Sequence, residues 1–309
     1  MERFAESVVK RQLFTTLVLW TLIVVYASAR FLQAFPGRVP MLAIVALHVL
    51  PPLVFAFLHG AMLYGLRGIL AFFALCVAIG GLIETFGVLT GFPFGHYYFT
   101  DVMGPKIFVV PIFLGLAYVG MGYLSWTLAS AILGGLPNPL TGSRVVTLPL
   151  LAALVMVAWD LCMDPIWATV VRAWIWQQGG GYFGVPLSNF FGWYLTVYII
   201  YQVFALYLRE RAINLGRLPS GYLQLAILFY GVSAAGNLLL LVPRPGLSQV
   251  TDATGKVWQV SNIAAACVFG TIFTMGAFTV LAWTRLKSGG RMLASDARDP
   301  TAARHLATR

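Results

Sequence analysis

Apolar residues fall into eight long runs along the chain, at about residues 13–29, 40–58, 68–89, 107–133, 145–163, 187–208, 222–242 and 263–286. Each is close to the ~20 residues a helix needs to cross the ~30 Å hydrocarbon core of a bilayer. The pattern predicts an all-α fold, a polytopic transmembrane helix bundle of about eight spans. The stretch 165–178 (PIWATVVRAWIWQQ) is too short and too rich in tryptophan for a span. It reads as a short interfacial or re-entrant helix, since tryptophan favours the membrane boundary. The first run follows Arg3, Lys10 and Arg11 and ends in Ala27-Ser28-Ala29, which formally resembles a secretory leader; it is read here as an uncleaved first span. Residues 288–309, with Gly289-Gly290 and scattered charges, read as a disordered cytoplasmic tail, which leaves 1–287 as a single transmembrane catalytic domain.

Composition agrees with the pattern. Of 309 residues 60% are hydrophobic and 10% charged, against about 25% charged in a soluble domain, so a soluble enzyme is excluded. The net charge of +10 sits in short loops and the tail, without the basic and aromatic stripe that would track a nucleic acid. With the amino terminus inside, fourteen basic residues fall on inside segments and six on outside ones. That bias places both termini, and the loop bearing Arg209, Arg211 and Arg217, in the cytoplasm of a bacterium. Cys76, Cys162 and Cys267 lie in separate apolar runs and read as small buried hydrophobes. His48, His59, His96 and His305 have no metal-binding spacing, so no metal site is expected. Gly179 to Gly184 fits GxGxxG but follows no strand, and reads as a turn.

Against this background intramembrane acids are informative, because a carboxylate at mid-bilayer costs about 2.5–3.5 kcal/mol on insertion scales. Glu84, Asp160 and Asp164 qualify. Asp160 and Asp164, four residues apart, share one face of a continuous helix. Two carboxyls so placed in an apolar setting can share a proton, and a shared proton can be given away. Each has a plainer reading. Asp164 precedes Pro165 and would cap a new helix; Glu84 would pair with an arginine near a helix end; Asp160 has the least structural excuse. Aromatic residues crowd the acids: Phe92, Phe94, Tyr97, Tyr98 and Phe99 follow Glu84, and Trp159 and Trp167 flank the aspartates. Aromatic faces stabilise a nearby cation. Acid, aromatic wall and apolar setting together suit protonation of an alkene to a carbocation.

Three blocks resemble the membrane-integral carotenoid biosynthesis family that includes the CruF-type carotenoid 1,2-hydratases: residues 84–98 (ETFGVLTGFPFGHYY), 159–165 (WDLCMDP) and 174–193 (WIWQQGGGYFGVPLSNFFGW). The resemblance implies a cofactor-independent enzyme that adds water across the terminal 1,2 double bond of a linear carotenoid in the bilayer, with a carotenoid glycosyltransferase as a downstream partner. It carries the family's acidic and aromatic motif positions onto Glu84, Tyr97, Tyr98, Asp160, Asp164 and Asn189. Protonation at C2 gives a tertiary cation at C1 that water captures, which requires an acid, cation-tolerant walls and a positioned water. Asp160 is the expected acid, tuned by Asp164, with Glu84 or Asn189 orienting water and Tyr97, Tyr98, Trp159 and Trp193 lining the substrate. An isoelectric point near 9.8 is unlike the acidic proteins of haloarchaea and favours lycopene or γ-carotene over fifty-carbon precursors. A carotenoid cyclase or isomerase using the same cation and a proton-coupled transporter with the acids as relay stay open as alternatives.

Overall fold

Gly65 sets the number of membrane crossings. Helix runs from Met41 to Thr90, 50 residues, which as one straight rod would be ~75 Å long. At Gly65 the backbone takes φ 71, ψ 168 inside helix α2 (Met41–Leu75), a conformation open to glycine and strained for other residues. The chain doubles back there. The rings of Phe57 and Phe73 lie 5.4 Å apart, where a straight helix would separate their backbones by ~24 Å.

The computed structural model describes residues 2–35, 37–135, 140–210, 221–242 and 246–296, with side chains between Gln12 and Lys287 in those ranges. Within them, seven helical runs are long and apolar enough to cross a membrane, and the doubled Met41–Thr90 run supplies two crossings, making the expected eight. In order these are α1 (Glu2–Gln33), the first arm of α2, and the second arm of α2 extended through a wide π-type turn at Cys76–Gly80 into α3 (Gly81–Thr90). Then come α4 (Ile112–Ile132), α5 (Arg144–Pro165), α6 (Leu187–Arg209), α7 (Tyr222–Leu238), and α8 (Val260–Thr271) joined to α9 (Ala277–Asp296). α4 is the central helix, buried almost continuously from Ala117 to Ala131 and packed against α2, α5, α7 and α9.

α5 carries two prolines, Pro149 and Pro165. Each removes the N–H that would bond the carbonyl four residues earlier, and in a bilayer that carbonyl needs another donor. The bundle provides both. Gln202 Nε2 donates to Val145 O at 3.1 Å, and Tyr182 OH donates to Leu161 O at 3.3 Å.

Between the helices, on one face of the bundle, lie short strands: β1 (Tyr97–Phe99), β2 (Lys106–Ile107), β3 (Val110–Pro111), β4 (Trp174–Trp176), β5 (Gln249–Thr251) and β6 (Val257–Gln259). β1 pairs antiparallel with β4, placing Tyr97 opposite Trp176 and Phe99 opposite Trp174. The expected helix over 165–178 is therefore corrected. α5 continues through Pro165 into a π-type turn at Ile166–Val170, and the Trp-Ile-Trp segment is a strand. Tryptophan and isoleucine suit a pleated surface, and β1 satisfies the strand's backbone. Asp164 consequently lies inside a helix and caps nothing. α9 runs to Asp296; the rest of the expected tail, residues 297–309, and Arg211 and Arg217 lie outside the described residues.

Candidate active site

Asp160 and Asp164 project from one face of α5 toward the first turn of α6, where Asn189 follows the helix-starting Pro186. The Asn189 amide bridges them, Nδ2 lying 2.7 Å from Asp164 Oδ2 and 3.2 Å from Asp160 Oδ2. The other oxygen of Asp164 accepts Trp174 Nε1–H at 2.7 Å. Glu84 enters from α3 and accepts two phenols, Tyr97 OH at 2.5 Å and Tyr118 OH at 2.6 Å. The Tyr118 ring lies flat on Trp193, with centroids 4.6 Å apart and planes 4° apart. All three carboxyls are at most 3% exposed. Among the described residues no lysine or arginine forms an ion pair with any of them.

These groups surround a small cavity. Its polar wall is Glu84, Asp164 and Asn189; its aromatic wall includes Tyr97, Trp159, Trp174, Trp176 and Trp193. Trp159 stands edge-on to Trp193 at 6.3 Å, and Tyr97 packs on Trp176 at 4.7 Å. Trp176 Nε1 is buried with no hydrogen-bond partner among the described residues. Such a chamber can supply a proton from a carboxyl, stabilise a carbon cation by aromatic faces and hold an oxygen nucleophile.

Two expectations change. Asp160, the expected acid, does not reach the cavity wall; it sits behind Asn189, while Asp164 faces the space. Tyr98, expected against the substrate, is 47% exposed, because successive side chains of β1 point to opposite faces and Tyr97 takes the inner one. Glu84, Tyr97, Trp159, Asp164, Asn189 and Trp193 line one cavity. Sequence reasoning missed Tyr118, Trp174 and Trp176 as site residues. Trp174-Ile175-Trp176 is apolar throughout and all three side chains are buried, so no alternation marked it as a strand.

Residues 38–244, which contain every one of these side chains, match the family described as carotenoid biosynthesis protein. The chain belongs to that family. A relative, the bisanhydrobacterioruberin hydratase of Haloarcula japonica, is 31% identical over 115 residues. That match spans 37% of this chain and 37% of the relative's length. No solved structure matches.

Proposed function

We propose that this carotenoid biosynthesis protein is a hydratase that adds water across the terminal 1,2 double bond of a linear carotenoid end group. The observation that carries the reading is the set of three buried carboxyls without a cationic partner, two of them on the wall of a chamber built from tryptophan and tyrosine. Similarity to a hydratase over part of the chain supports it. Asp164 gives its proton to C2, and the π electrons of the double bond form the new C–H bond. The tertiary cation left at C1 is faced by Trp159 and Trp193. Water reaching Glu84 bonds through oxygen to C1 and gives a proton to Glu84. The proton taken by Glu84 returns to Asp164 to close the cycle, and Asp160, which accepts from the same Asn189 amide, helps hold Asp164 in place. The balance is alkene plus water to tertiary alcohol, with no redox change.

Expression in a lycopene-accumulating bacterium is expected to give a more polar product heavier by one water. In D₂O that product carries one non-exchangeable deuterium at C2. γ-Carotene and bisanhydrobacterioruberin are parallel substrates. A cyclised product of unchanged composition would favour a cyclase, and substrate-dependent proton flux in liposomes without a new pigment would favour a transporter.

We also propose a bacterial cytoplasmic membrane orientation with both termini inside, on the bias of basic residues. It puts the face bearing β1 and β4 outside. Reporter fusions at Arg309 should read cytoplasmic; a periplasmic signal there would reverse it.

A further inference from the structure

A second cavity adjoins the first. The two share Leu114, Trp159, Met163 and Trp174 as a common wall. The second chamber is apolar along most of its length and polar at the end formed by Tyr26 and Arg30 of α1 and His48 of α2.

Arg30 is 6% exposed, and no carboxylate pairs with it among the described residues. Its Nη1 donates to Gln33 Oε1 at 3.1 Å and to His48 Nε2 at 3.0 Å, and its Nη2 donates to Asn237 Oδ1. His48 Nδ1 lies 2.7 Å from the Ile44 carbonyl, and its Nε2 lies 3.0 Å from Arg30 Nη1 and 2.9 Å from Gln33 Oε1. Arginine has five N–H donors; these contacts engage three, and Nε has no partner. Nε packs against Gly236 of α7, where a Cβ would fall 2.2 Å from it. Arg30 nevertheless lines the chamber beside Tyr26 and His48, and a buried charge without a carboxylate favours lone pairs brought there by a ligand.

The hydration proposed above consumes one water per turnover. Water resides in a cavity where it finds about two to four polar partners and leaves one that is apolar. In the reaction chamber Glu84 is already bound by two tyrosines and Asp164 by Trp174 and Asn189. The polar end of the second chamber offers donors one chamber away.

We propose that the second chamber is the water reservoir of the reaction, with Arg30 the positioning residue that holds water there for delivery past Trp159 and Met163. The proposal rests on the hydratase reading. After Asp164 has protonated C2, a water from this reservoir bonds to C1 and loses its proton to Glu84. A cation that no water reaches has another exit, loss of a proton from an adjoining carbon back to a carboxylate, which restores an alkene. Starving the site of water therefore changes how the cation ends, not how often it forms.

The test uses the full-length protein in liposomes containing lycopene in D₂O, measuring both the hydrate formed and the deuterium in recovered lycopene. The variants are Arg30→Met and Met163→Phe; the second narrows the shared wall without altering the Arg30 cluster. Both are expected to lower the ratio of hydrate to deuterium exchange by about tenfold to a hundredfold, the cost of a misplaced reactant, with exchange retained. Hydration and exchange falling together in the folded variants would make Arg30 a structural residue and overturn the reservoir. Should Arg30→Met fail to fold, an unchanged ratio in Met163→Phe overturns it equally. A wild-type protein that exchanges deuterium but forms no hydrate from any parallel substrate would instead overturn the hydratase reading, and the reservoir with it.

Discussion

Asp164→Asn is expected to cut hydration by about 10²- to 10⁴-fold, the usual contribution of a positioned general acid, in a protein that still inserts and folds. The amide matches the carboxyl in shape, and its oxygen can still accept the Trp174 N–H that Asp164 Oδ1 now takes at 2.7 Å. Its nitrogen would meet the Asn189 amide, which can turn over and present oxygen instead. What the variant loses is the proton on the cavity wall. Asp160→Asn should cost less, because Asp160 is hydrogen-bonded to Asn189 and, unlike Asp164, does not line the cavity. Product formed per folded protein, with deuterium exchange into recovered substrate, decides the matter. If Asp160→Asn proves the more damaging, the donor is Asp160 after all; if Asp164→Asn converts substrate at the wild-type rate, the acid lies elsewhere.

The bundle was legible because hydrocarbon imposes a length on apolar runs. Even the fold-back at Gly65 was visible as a break between the runs at 40–58 and 68–89, although nothing local marked Gly65 itself as the turning point. The face shared by Asp160 and Asp164 followed from helical geometry alone. Their meeting with Asn189 did not, since it depends on α5 packing against α6 in one register, and the blocks around these residues suggested it only by resemblance.

The aromatic half of the site was the part hidden from the sequence. Tyr97 and Tyr98 are neighbours with the same chemistry, and only the pairing of β1 with β4, across more than seventy residues, decides which one faces Glu84. Three-residue strands are too short to announce themselves by alternation, and a tryptophan-rich stretch beside a span imitates an interfacial helix. Tyr118 sits in the middle of an apolar helix, where a tyrosine reads as core until its hydroxyl is found on Glu84. The Arg30–His48 pair was invisible for a related reason: Arg30 ends α1 like any boundary arginine, and its burial comes from α2 and α7 closing over it.

Gly180→Ala is expected to be the most damaging single methyl group on the face that carries the site, destabilising the protein by about 3 kcal/mol or more, in the range of backbone clashes and overpacking. A Cβ at Gly180 would fall 2.0 Å from the Val185 carbonyl carbon and 2.2 Å from Pro186 N, on top of a peptide bond, and a backbone atom cannot swing aside as the tip of a side chain can. That peptide bond leads directly into α6, three residues before Asn189, so moving it also moves the amide that ties Asp160 to Asp164. The adjacent Gly181 is the internal control, because a Cβ there meets nothing within 4 Å, and Gly181→Ala should leave both stability and turnover close to wild type. Thermal unfolding of the two detergent-solubilised variants beside the parent separates them. Equal melting temperatures for Gly180→Ala and Gly181→Ala would mean that the turn between β4 and α6 does not pack as described, and that Asn189 is held in register by something other than this contact.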